Sequence, residues 1–224
     1  MKAPEIIFES TALIIINKES GIITEQNPFE PLSAESQVRH YLNKGHKPPY
    51  IGVAHRLDRV TSGLLIFAKK KSTLKQLNQW FADRKIQKTY LAIASTPPSP
   101  SQGTLEHYLF TDKAAKKALV YDHPKGGTKP ARLHYHTLEV NEHGALLEVK
   151  PSTGRFHQIR AQLSHIGCPI LGDEKYGGSK LSPNTIALHA WKIKLPEAFN
   201  ESPIEFETLP RSEIWASFIK TLEK

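Results

Sequence analysis

Short apolar runs separated by polar turns set the rhythm of this 224-residue chain. Ile6-Ile7-Phe8 and the run from Leu13 to Ile16, divided by Glu9-Ser10-Thr11, predict two paired strands. Lys18-Glu19-Ser20-Gly21 is a turn, after which Ile22-Ile23-Thr24 resumes an extended path that Pro28 and Pro31 break. The period then changes. Val38, Tyr41 and Leu42 share one face of a helix over 34–43, with Ser33 as its N-cap. A second helix is expected after Ser72 as cap, with Leu74, Leu77 and Phe81 as its apolar stripe and Lys75, Gln79 and Arg84 facing out. The apolar run from Leu64 to Ala68 is a buried strand, and 88–93 is another. Pro97 to Gly103 is an exposed connection.

Extended segments follow at 105–109, 118–121, 131–140 and 145–149. Within the third, His134 and His136 alternate onto one face, the exposed one. A helix over 156–166, stopped by Gly167, puts Phe156, Ile159, Leu163 and Ile166 on one side. Strands at 186–195 and 204–207 and a closing helix over 212–222 complete the pattern. The expected class is α+β, a mixed, largely antiparallel sheet with flanking helices, in a single domain over 1–224.

Charge narrows the partner. Thirty Lys and Arg against 22 Asp and Glu give a formal charge of +8, which favours a polyanion, most simply nucleic acid. The cations cluster at Lys69-Lys70-Lys71, at Lys85 and Lys88, at Lys113 with Lys116-Lys117, and at Lys125 with Lys129 and Arg132. Any one cluster can be a solvated face, but together they could track a phosphate backbone. No stretch reaches the ~18 apolar residues of a membrane span. The single cysteine, Cys168, cannot close an internal disulfide, and no secretory signal opens the chain. A reducing cytoplasm is the expected location.

One stretch carries the candidate chemistry. In His55-Arg56-Leu57-Asp58-Arg59-Val60-Thr61-Ser62-Gly63-Leu64, a carboxylate stands between two arginines on a loop anchored by a buried strand. Neighbouring positive charge should keep Asp58 ionised. Two readings fit: a working anion, or a salt bridge in a strand-entry turn. Arg160 lies at the border of an apolar helix face and needs a partner there; Asp58, an ordinary carboxylate and water are all open to it. Dinucleotide, P-loop, zincin and nucleophile-elbow motifs are absent, and there is no cysteine cluster. The scattered histidines read as surface or hydrogen-bonded core residues.

These residues resemble the RluA-like RNA pseudouridine synthases. His55-Arg56-Leu57-Asp58-x-x-Thr61-Ser62-Gly63-Leu64 is similar to that family's signature. Lys88-Thr89-Tyr90-Leu91-Ala92 resembles its tyrosine-bearing strand, and Gly154-Arg155-Phe156-His157-Gln158-Ile159-Arg160-x-Gln162-Leu163 with Pro169 to Gly177 its late helix and loop. Leu188-His189-Ala190 is similar to its last core strand. Asn17-Lys18-Glu19-Ser20-Gly21 looks like its opening turn, with Glu19 where proline is common.

The resemblance implies isomerisation of uridine to its C-glycoside in rRNA or tRNA, without metal or cofactor; the chain itself is expected to be a monomer with no membrane attachment. Asp58 would be catalytic, acting on ribose C1′ or on the 2′ proton. Tyr90 would pack on the flipped uracil and take its C5 proton, although alone it reads as a core strand residue. Arg160 would pair with Asp58, and Arg56 would enter the RNA where the base has left. His55, Arg155, His157 and Gln158 would contact RNA or substrate. Phe156 departs from a small or polar family position. The chain is expected to begin at the catalytic domain, leaving RNA selection to loops such as Asp112 to Pro130.

Overall fold

In the computed structural model, residues 2–43, 45, 48–196 and 204–218 are described, and the chain divides into two units interleaved in sequence. The first holds 1–87 and 190–210, the second 88–189 and 211–224.

The first unit opens with β1 (Glu5–Glu9) and β2 (Leu13–Lys18), the expected antiparallel pair. Helix α1 (Ala34–Leu42) starts at a capping box in which Ser33 accepts from the Ser36 N–H and Ser36 accepts from the Ser33 N–H. Such a cap stabilises a helix start by about 1 kcal/mol. The short β3 (Gly52–Val53) pairs with the far end of β4 (Ser62–Ala68), whose other edge lies along β2 from Leu13↔Ala68 to Lys18↔Gly63. Helix α2 (Lys71–Ala82) corrects the expected cap. Lys70 is the extended N-cap residue, so Ser72 already lies inside the helix. Its buried side carries Thr73, Leu77 and Trp80, of which only Leu77 belongs to the predicted stripe.

The second unit is built on β5 (Gln87–Ala94), β6 (Gln102–Asp112), β7 (Lys117–Tyr121), β8 (Lys129–Asn141) and β9 (Gly144–Pro151), in the order β5-β9-β8-β6-β7. All four pairings are antiparallel. On β8, Ala131, Leu133 and Tyr135 are buried while His134 and His136 face out, as the alternation predicts. The expected helix over 156–166 is shorter. His157 takes a left-handed conformation (φ 53°), and α3 runs only over Gln158–His165. Phe156 therefore precedes the helix and is 40% exposed instead of lining its apolar side, which Ile159 and Leu163 do form.

The chain returns to the first unit along β10 (Leu188–Lys194), beside β4, and β11 (Glu205–Glu207) pairs with β10. Leu13, Ile15, Leu64, Ile66, Leu77, Trp80, Ile193 and Phe206 make one apolar core in this unit. In place of a closing helix over 212–222 there is a 3-10 turn at Glu213–Phe218; residues 219–222 fall outside those described. The class is the expected α+β.

Candidate active site

Asp58 stands, half-buried, on the irregular connection between β3 and β4. The N-terminal segment grips this connection at successive points. The Thr24 hydroxyl donates to the Leu57 carbonyl (2.9 Å) and accepts the Leu57 N–H (3.1 Å). Ser20 Oγ donates to Val60 O (3.0 Å) and the Gly21 N–H to Arg59 O (2.8 Å). Thr61 closes the turn by donating its N–H to Asp58 O (3.1 Å). At the strand entry, Gly63 has φ +109°, and a Cβ there would lie 2.3 Å from the Ala190 carbonyl oxygen of β10. Only glycine lets β4 approach β10 so closely.

Beneath the loop is Lys18, 1% exposed. Its ammonium has three donors, and they meet three carbonyls: Glu19 O and Ile22 O at 2.8 Å and Arg59 O at 3.2 Å. Burial lowers its pKa to about 7, against the opposing pull of the Asp58 charge. The cationic setting of Asp58 therefore differs from the one its neighbours in sequence suggest. Arg59 is paired with Glu30, and Arg56 lies 3.5 Å from Glu25. The Arg56 side chain remains 72% exposed, which suits a group that reaches outward. His55 turns inward. Its Nε2 accepts the Ile66 N–H (3.1 Å) and its ring packs on Phe81, so it braces β4.

In the second unit Tyr90 is 7% exposed on β5, opposite Val149. Lys88 shares its face two residues away, and loss of hydration lowers the Lys88 pKa. This lysine is not the outward cation that composition suggested. Arg160, 5% exposed, grips Asp173 through Nε (2.6 Å) and Nη2 (2.8 Å). Its guanidinium also lies 5.2 Å from the Tyr176 ring centroid. Within this unit its partner is thus a carboxylate that the charge pattern did not single out.

The residues before α3 divide by role. Gln158 is buried with both amide ends committed: Oε1 accepts from Thr153 Oγ1 (2.7 Å) and Arg155 N (3.0 Å), and Nε2 donates to Arg132 O (3.1 Å). It clasps the loop that leads into α3. Arg155 donates Nε to Pro130 O (2.9 Å). His157 Nδ1 is 3.0 Å from the Tyr176 hydroxyl, and its ring stacks on exposed Phe156 at 3.8 Å. Sequence reasoning passed over Thr24, and it placed Lys18 and Asp173 within family-like blocks without giving either a role. Each acts through a tertiary hydrogen bond that leaves no periodic trace.

A strand-anchored carboxylate over a buried cation is a group that could do nucleophilic or acid–base chemistry, and an inward tyrosine and a buried arginine fork stand elsewhere in the chain. The sequence model of the family described as RNA pseudouridylate synthase matches residues 12–165, and the chain belongs to that family. It is 33% identical over 198 residues to ribosomal large subunit pseudouridine synthase D of Borreliella burgdorferi, covering 85% of this chain and 60% of that protein. An RNA pseudouridine synthase of Haemophilus influenzae, itself uncharacterized, is 31% identical across 85% of this chain and 81% of its own length. The solved structure of human RNA pseudouridylate synthase domain containing 4 superposes with a TM-score of 0.76 at 26% identity, covering 98% and 92% of the two chains. Against the Borreliella burgdorferi protein, and a Rickettsia bellii synthase C of which it covers 63%, the chain spans under two thirds of the relative's length.

Proposed function

We propose that this chain isomerises uridine to pseudouridine in structured RNA. The observation that carries the reading is the Asp58 loop: a family-signature carboxylate fixed by Thr24, Ser20 and Lys18 against a rigid strand. In the reaction the C1′–N1 bond breaks, the uracil turns, and C5 bonds to C1′. The C5 proton leaves and N1 gains one, so no atom is lost from the nucleotide. Asp58 acts at the ribose, as nucleophile on C1′ or as base on the 2′ proton. By family resemblance Tyr90 packs on the base and accepts the C5 proton, Arg160 pairs with Asp58, and Arg56 fills the place of the flipped base. Extrusion of that base costs on the order of a few kcal/mol, met by contacts to the backbone.

Ribosomal RNA is the substrate class that the names of the similar bacterial synthases favour, with transfer RNA the alternative. The family match runs through both units, which supports a single catalytic domain over 1–224. The proposal includes action as a monomer, in the cytoplasm, without cofactor. Basic groups flanking β7, namely Lys113, Lys116, Lys125 and Lys129, supply a surface for phosphates beside exposed Phe110 and Leu119.

Tritium release from RNA labelled at uracil C5 tests the reading. Wild type should release tritium, and Asp58→Asn should not while binding the same RNA. Release of free uracil would replace isomerisation by hydrolysis. Binding by wild type without release from any RNA pool would leave a non-catalytic RNA-binding protein.

A further inference from the structure

Three side chains of the second unit, none used in the proposed reaction, converge at one point. His107 of β6 and Asp122, just past β7, continue the antiparallel register in which Tyr108 faces Tyr121, so they are cross-strand neighbours. His165 comes from the last turn of α3. Its Nε2 lies 2.9 Å from Asp122 Oδ1, and His107 Nε2 lies 3.8 Å from the same oxygen. The two imidazoles meet edge to face at 4.9 Å, and all three ligand atoms fall within 4.8 Å of one another. Around a tetrahedral zinc with bonds of about 2.0–2.1 Å, neighbouring ligand atoms stand about 3.3 Å apart. The cluster brackets that spacing.

A further contact reaches His107. The fully buried Gln162 places its amide nitrogen 3.0 Å from His107 Nδ1, while its Oε1 is buried without a partner. In this arrangement Nδ1 accepts and the proton sits on Nε2, so an ion at Nε2 would displace that proton, with the Gln162 amide turning to accept an Nδ1–H at the loss of its contacts to Leu105 O (3.3 Å) and Ala131 O (3.4 Å).

We propose that His107, Asp122 and His165 bind one divalent transition-metal ion, with Zn2+ the best match to two imidazoles and a carboxylate. A fourth position would be left to water. The ion would staple the end of α3 to the β6–β7 hairpin, the arm that carries the basic groups around β7. The site serves structure, and the isomerisation does not pass through it.

Isothermal titration of Zn2+ into tag-free, chelator-treated full-length chain tests the proposal. One equivalent should bind, and Co2+ in its place should give the strong visible bands of a four-coordinate site. His165 and Asp122 are exposed, so His165→Ala and Asp122→Asn should fold, and each should weaken Zn2+ binding at least about tenfold, the scale on which lost ligand support acts. Thermal stability of the wild type should rise on adding Zn2+, and that of either variant should not. Asp58→Asn should bind Zn2+ as wild type does, which separates this site from the catalytic reading. Absence of stoichiometric binding, or equal affinity in wild type and both variants, overturns the site.

Discussion

Replacing Lys18 by Met tests whether the buried ammonium is what holds the Asp58 loop. Met matches the length and unbranched shape of the lysine stem but removes the donors. Glu19 O and Ile22 O then lose the Lys18 bond, whereas Arg59 O keeps the Gly21 N–H at 2.8 Å. Each buried acceptor left without a donor costs about 1–3 kcal/mol, partly offset because a charge no longer has to be desolvated. The pH dependence separates these terms. With a folded pKa of about 7 against the usual 10.5, the unfolded chain holds the Lys18 proton more tightly. Stability from this group is therefore flat below pH 7 and rises between 7 and 10.5. From pH 7 to 9 the gain is about 2 kcal/mol, the slope reaching about 1.4 per pH unit only above the folded pKa. Urea unfolding at pH 6, 7, 8 and 9 should show this rise in wild type and lack it in Lys18→Met. The variant should also lose kcat for RNA with KM little changed. Asp58→Asn, by removing the charge that favours the ammonium, should start the rise at lower pH. Parallel stability curves for wild type and Lys18→Met would refute the assignment.

Three further substitutions probe the frame. Asp173→Asn puts an amide with a single acceptor oxygen where a carboxylate takes both the Arg160 Nε and Nη2 bonds, and should cost about 2 kcal/mol in denaturant unfolding. Gly63→Ala combines a φ of +109° with a Cβ 2.3 Å from Ala190 O, so it should lose about 3 kcal/mol or more and lower the yield of folded protein. Thr24→Val keeps shape but breaks both bonds to Leu57. It should cost about 2 kcal/mol and lower kcat while RNA affinity, measured by filter binding, stays within about twofold.

Where the sequence was legible, the cause was periodic burial. A strand or helix must hide one face, so β2, β4, β5 and the Ser33-capped α1 declare themselves through spacing alone. Backbone conformations chosen by tertiary contacts do not. His157 in the left-handed region starts α3 two residues late and turns Phe156 outward, and no pattern of apolar residues encodes that choice. The same limit governs the site. Asp58 stood out because its carboxylate, turn and strand are contiguous. The groups that fix its loop are a lysine at the end of β2 and a threonine 33 residues before Leu57. Family resemblance supplied Tyr90 and Arg160, but it did not reveal that Arg160 first satisfies Asp173. A buried cation binds whatever acceptors the folded chain puts within reach, and that list is a property of three dimensions. The exposed Arg56 and the inward His55 make the point at adjacent positions: one residue apart in sequence, they point to solvent and to the Phe81 ring. A linear motif names both without assigning either. The fold of the first unit divides them, turning Arg56 to solvent and setting His55 against the strand that carries the loop.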